Sequence, residues 1–233
     1  MSKQKQDHNC MTDESVIVTH VNSPTLFYCR VEQDVERYEQ LTKLIRQHID
    51  SEPHSMPDLI RRNSVSGSVI LALVYSDIHK DWCRARLISM KCDRNHKPIC
   101  GKVLLIDFGS IEFVSWKSKF VSTSTLEIDD FNESRGLCFP CSLDNIKPYD
   151  DVKLDSEKPL QYEWTSYANF MFKKETTNGK FLLKVMKPDL LNDKIIVCDL
   201  LPMNDCSKLD EFPSLSQYLV DSKVARYINV SNF

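Results

Sequence analysis

The chain has 233 residues, 42% hydrophobic and 27% charged, with a net charge of −3. That length allows one large domain or two small ones, each with its own core, and the charge supplies no broad positive field to draw in phosphate backbones. No apolar run reaches the roughly 18 residues that span a membrane, and the polar residues 1–15 lack the apolar core of a secretory signal, so they are expected to be a disordered lead-in.

Val16–Val21 alternates as a strand does, Asn22–Thr25 carries turn residues, and Leu26–Val31 reads as a second strand, so a hairpin is expected here. From Asp34 to Ile49 the period changes. Val35, Tyr38, Leu41, Ile45 and Ile49 recur at helical spacing, with Asp34 as an N-cap and Pro53 and Pro57 beyond the end. Between Gly67 and Phe120 three strand-like runs are joined by polar turns, with an aromatic near the end of each. Strands ending in aromatics can line an open mouth with π faces, a place to hold a cation.

Ser124–Lys158 follows, with a local charge of −5 that can offer a negative edge to a basic partner, or simply be solvated. In the last third, Tyr167–Phe172 and Phe181–Met186 read as strands around the hairpin dipeptide Asn178-Gly179, and Ile195–Cys198 as a further strand. Pro213–Tyr227 is expected to hold a short closing helix with Leu215, Leu219 and Val220 facing inward.

Five glycines leave no phosphate-cradling loop, which argues against a nucleotide-binding enzyme. Nine cysteines, an odd number with no secretory signal, suggest free thiols in a reducing compartment. Cys138 and Cys141 have a metal-like spacing, but Cys92 and Cys100 do not complete a set, so no metal is expected.

Asp81-Trp-Cys-Arg-Ala-Arg86 followed by Leu105-Ile-Asp-Phe-Gly-Ser110 resembles the W-Y-R-A and I-D-Y-G-N signature of Tudor domains. The flanks, from about Val16 to Ile228, are similar to those of the extended form. That resemblance implies a mainly β fold with helices (α+β). A five-stranded Tudor barrel would be joined by a long helix and linker to an OB-type, staphylococcal-nuclease-like barrel. The implied divisions are 16–60 for the first part of the nuclease-like domain with the linking helix, 67–120 for the Tudor core, 121–158 for the acidic linker and 159–230 for the second part of the nuclease-like domain.

Such domains are peptide-binding scaffolds without enzymatic activity or cofactor. Their usual ligand is a methylated arginine in the arginine-rich N-terminal tail of a Piwi-class Argonaute, held in a cage of four aromatic walls and one asparagine. The resemblance further implies cytoplasmic, perinuclear germline granules as the location, and other scaffold proteins as partners through a parent chain. No membrane and no direct nucleic-acid partner is expected.

Carried over position by position, the walls fall on Tyr75, Cys83, Leu105 and Phe108, and the asparagine on Ser110. Two walls of four are aromatic. Losing two cation–π contacts costs on the order of ten- to a thousand-fold in affinity. The expectation is therefore an arginine held in the groove between the two barrels without a need for methylation, its N–H groups finding acids among Asp77, Asp107 and Glu112. The alternatives are a symmetric-dimethylarginine reader with a degenerate cage and an OB-type single-stranded RNA binder using Lys173, Lys174, Lys180 and Lys184. Structural readings stand beside these: an internal Arg84–Asp107 ion pair, Trp82 packed beneath the barrel, and Tyr75 and Phe108 as rim aromatics without a ligand.

Overall fold

A computed structural model describes residues 14–51, 71–95, 98–115, 120–122, 136–149, 163–186, 195–203 and 213–228. The first elements are β1 (Glu14–Ser23), β2 (Leu26–Val31) and helix α1 (Asp34–Ser51). Then come β3 (Leu71–Ser76), β4 (Asp81–Cys92), β5 (Pro98–Leu105), β6 (Ile111–Ser115) and β7 (Phe120–Ser122). The remainder holds β8 (Phe139–Leu143), β9 (Ile146–Pro148), helix α2 (Ser166–Thr176), β10 (Lys180–Val185), β11 (Ile196–Pro202), helix α3 (Leu215–Asp221) and β12 (Ala225–Tyr227). The chain divides into two compact units, Met1–Glu32 with Phe139–Phe233, and Gln33–Cys138.

The first unit is a closed barrel in the order β1-β10-β11-β8-β2, with β8 and β11 parallel and the other pairs antiparallel. Counting only the five barrel strands, the order is 1-4-5-3-2, the cycle of an OB barrel. Its core gathers Val16, Phe27, Cys29, Cys141, Phe181, Leu183, Cys198 and Leu200 from the strands and Ala168 and Phe172 from α2. Phe27 and Phe172 meet edge to face at 5.2 Å, a favoured aromatic geometry.

Two expectations are corrected here. Tyr167–Phe172 is helical, not a strand. The Thr165 hydroxyl accepts from the Ala168 amide and caps the start, while Ala168, Phe172 and Thr176 lie four residues apart on one buried stripe. Asn178 does take the left-handed conformation at φ 62°, but it joins a helix to a strand rather than two strands. The second correction lies in the acidic stretch. Of the part that is described, Phe139–Leu143 is a barrel strand and Ile146–Pro148 pairs with β12; Gly67, Trp116 and most of the acidic residues lie outside the described residues. The closing helix is α3, shorter than 213–227, with Leu215 and Leu219 buried and Val220 half-buried.

The second unit is an antiparallel five-stranded sheet in the order β6-β5-β4-β3-β7. Its inner face gathers Ala72, Val74, Cys83, Ala85, Val103, Leu105 and Val114. On the outer face Leu73 and Trp82 receive Leu41, Ile45 and Ile49 of α1, the stripe that the helical period placed there. Trp82 is thus half-buried under the helix rather than inside the barrel. The helix belongs with this unit and not with the strands that precede it.

Candidate functional site

The rim of the second unit is built by two loops. The β5–β6 loop opens from Leu105, whose carbonyl accepts from the amides of Phe108 at 3.1 Å and Gly109 at 2.8 Å, and its amide donates to the Ser110 carbonyl at 2.9 Å. Gly109 sits at φ 85°, where a side chain would be strained. This tight turn leaves Phe108 half-buried against the inner cluster. The β3–β4 loop runs over residues 77–80, with Lys80 at φ 56°. Asp77, Ile78 and Lys80 are exposed, whereas His79 folds inward.

His79 lies flat on Phe108, with ring centroids 3.6 Å apart and planes at 21°. Tyr38 of α1 meets the same phenylalanine edge-on at 5.5 Å. Neither Tyr38 nor His79 was singled out from sequence. Tyr38 reads as part of the apolar stripe of a helix, and His79 as a polar turn residue. The signal that was available for His79 is its place in the turn after the Tyr75 run.

Beside the rings is a buried polar cluster. The Ser76 hydroxyl donates to Glu112 Oε1 at 2.6 Å and accepts from the His79 amide at 3.0 Å. Glu112 is only 8% exposed and Ser110 only 2% exposed. The Ser110 Oγ is buried with no hydrogen-bond partner among the described residues. Such an unsatisfied hydroxyl costs stability, about 1–3 kcal/mol, and buried polar atoms of this kind ask for a partner. Cys83 is buried on the same face, its thiol pushed up to about 12 first by burial and then by the nearby Asp81, Glu112 and Asp107 charges. It is an inert apolar wall rather than a nucleophile.

The expected site residues therefore do not all meet. Cys83, Leu105, Phe108, Ser110 and Glu112 share the inner face and its rim. Tyr75 does not. It pairs in register with Trp82, while Val74 pairs with Cys83, so strand alternation sends Tyr75 to the opposite face. There it packs edge-to-face on Trp82 at 5.9 Å. One aromatic wall of the expected cage remains on the inner face, and its free side is covered by His79.

The acids also separate. Asp107 is buried on the outer side and holds Arg84 in a two-point ion pair, Nε to Oδ2 at 2.9 Å and Nη2 to Oδ1 at 2.6 Å. The Leu137 amide donates to the same Oδ1 at 3.0 Å. Its place is structural, as the internal-pair reading held, and it is not open as a ligand contact. Gly136 explains how the chain reaches it: a Cβ at this position would lie 1.6 Å from the Ile106 carbonyl oxygen. Asp77 is exposed in the loop. Glu112 alone of the three presents a carboxylate to the inner face.

The described residues contain no group of three or more His, Cys, Asp or Glu side chains arranged to hold a metal ion. Cys141 is buried in the first unit's core next to Cys198, whose thiol is held protonated by its hydrogen bond with Cys141 and by burial. Cys138 donates to the Ile106 carbonyl at 3.2 Å instead. No helix among the described residues is long and apolar enough to cross a membrane.

A family model of the Tudor domain matches residues 9–145. Solved structures similar to the chain include extended Tudor domain TD3 of mouse TDRD1 in complex with a MILI peptide containing dimethylarginine. It has a TM-score of 0.67 at 15% identity and covers 98% of this chain and 100% of that one. The extended Tudor domain of Drosophila melanogaster Papi aligns with a TM-score of 0.68 at 15% identity, covering 93% and 100%. A substituted form of Papi bound to an unmethylated Piwi N-terminal peptide aligns at 0.66 with 14% identity, covering 93% and 100%. No curated protein sequence matches the chain.

Proposed function

Because this chain belongs to the Tudor domain family, we propose that it is a non-enzymatic peptide-binding module for an arginine-containing tail, one that does not require arginine methylation. The observation that carries this is the composition of the inner rim. Where the family's cage has aromatic walls and an amide, this chain has a single ring, Phe108, a buried carboxylate, Glu112, and a buried unpartnered hydroxyl, Ser110.

An unmodified guanidinium has five N–H donors in a planar fork. It can stack on Phe108 while giving donors to Glu112 and Ser110, which methylation would remove one by one. A carboxylate rewards donors, and a π-walled cage rewards methyl groups. The rim is built on the first principle.

The partner we propose is the arginine-rich N-terminal tail of a Piwi-class Argonaute, in a germline granule outside the nucleus. This is supported by the Piwi N-terminal peptide in the Papi structure. The parent would be a scaffold with further partners, a Krimper-type protein among the candidates. A second reading, a symmetric-dimethylarginine reader with a degenerate cage, is favoured by the dimethylarginine ligand of the TDRD1 structure. The single-stranded RNA reading is weakened by Lys180, which is tied to Glu32 rather than free for phosphate.

Titration calorimetry with one arginine-rich peptide in unmodified, monomethyl and symmetric dimethyl forms separates these readings. Equal or falling affinity along the series is expected, together with loss of binding in Glu112→Gln and Phe108→Ala. A clear preference for the dimethyl form would favour the second reading, and binding of single-stranded RNA at moderate salt the third.

A further inference from the structure

The proposed reading leaves one residue of the rim without a role. His79 covers Phe108, the one aromatic cage position that the described residues place on the inner face. We propose that His79 is a resident stand-in for the ligand: its imidazole occupies the face of Phe108 on which a guanidinium would stack, so that arginine enters only by turning His79 out. This rests on the arginine reading above and adds to it a specificity-determining residue.

The geometry leaves no other entry to that face. Two rings that sandwich a flat group must stand roughly 7 Å apart, about 3.5 Å for each contact. His79 and Phe108 are 3.6 Å apart, so they are already in contact and nothing fits between them. His79 is therefore not a second cage wall in this arrangement. It is an occupant.

The loop that carries it presents a single residue to the ring. Asp77, Ile78 and Lys80 are exposed and His79 alone turns inward. The loop is pinned at its root by the His79 amide on Ser76 Oγ, and the same hydroxyl donates to Glu112. A guanidinium that engages Glu112 thus meets the hydrogen bonds that hold the loop.

Replacing one flat group on Phe108 by another is a nearly balanced exchange, a stacked imidazole against a stacked guanidinium. His79 lowers affinity without abolishing it. It also sets a threshold, because a side chain that only stacks gains little over the imidazole already there. A ligand must both stack and give donors to Glu112 and Ser110 to displace it.

The test uses the whole chain and an unmodified arginine-rich peptide, with the same peptide carrying lysine as control. The affinity of His79→Ala is expected to rise about two- to tenfold, the scale of one aromatic contact. The affinity of His79→Phe, which keeps a flat ring, is expected to stay at or below that of wild type. In the free protein the His79 ring protons should carry an upfield NMR shift from Phe108, absent in Phe108→Leu, and saturation with peptide should remove it.

Peptide that binds wild type and His79→Ala alike, with the upfield shift retained, overturns the proposal and leaves the arginine reading standing. Binding to His79→Ala alone supports it strongly. Binding to neither overturns both, since an opened rim would then have no arginine to admit.

Discussion

The first unit's barrel and the second unit's sheet each have five strands, and they place buried polarity differently. The closed OB-type barrel fills its interior with Phe27, Phe172, Phe181, leucines and three buried free cysteines. The sheet of the second unit has a smaller apolar cluster and ends it in Glu112, Ser110 and Ser76, all buried. The first unit's buried polar groups, Arg30, Thr176, Ser214 and Ser216, are spread over β2, α2 and the start of α3. An unsatisfied hydroxyl and a carboxylate at a rim lower stability and create the chemistry of a site. Buried polar atoms occur in both units, Asn169 Oδ1 in the first among them, and the proposed site rests on their clustering with Phe108 at one rim of the second.

The largest effects should come from breaking each unit by its own means. Phe172→Ala removes a fully buried ring from the closed barrel and should cost about 3–5 kcal/mol in chemical denaturation. Asp107→Ala should cost a similar amount, about 3–5 kcal/mol, by stranding the buried Arg84 guanidinium. The Asp107 variant should unfold the second unit first, seen as early loss of Trp82 fluorescence burial. If both variants unfolded the whole chain in one step, the two units would be a single cooperative body.

A smaller change sharpens the contrast. Ser110→Ala removes an unpartnered buried hydroxyl and should raise stability by about 1 kcal/mol, while weakening arginine-peptide binding measured by calorimetry. The same serine-to-alanine change at Ser216 in the first unit, where the hydroxyl donates to Asp199 at 3.0 Å, should lower stability instead. Opposite signs would confirm that polarity is kept for recognition in one unit and for structure in the other.

The smallest effect is electrostatic and lies on the surface of the first unit. Glu32 is held below the usual carboxylate range first by its hydrogen bond to Lys180 and then by Ser15. A lowered folded-state value means its contribution is complete above the ordinary carboxylate range and is lost as pH falls through the lowered value. Glu32→Gln should therefore narrow the melting-temperature difference from wild type as the solution is acidified. A difference that stayed constant into acid would remove the Lys180 pairing as its cause.

Local order was legible where one period ran without competition. The Val16–Val31 hairpin and the α1 stripe of Leu41, Ile45 and Ile49 are observed as the alternation and the helical spacing require. Tyr167–Phe172 misled because it is rich in aromatics, which strands favour, while the deciding signals, the Thr165 cap and the Ala168, Phe172, Thr176 spacing, extend beyond that window. The β8 strand was hidden inside an acidic stretch, where charge outweighed five residues of pattern.

The sequence by itself determined the fold class and the Tudor signature, and it carries the Cys83 and Leu105 on which the expected thinning of the cage rests, because these depend on residue identity and short-range spacing. Only the tertiary structure decided which side chains meet. The residues 77–80 between β3 and β4 set a register in which Tyr75 pairs with Trp82, and that parity moves one expected wall to the far face. The same loop brings His79 onto Phe108. A strand's side chains alternate sides, so a single step of register exchanges a ligand contact for a packing contact, and the linear chain does not specify that step.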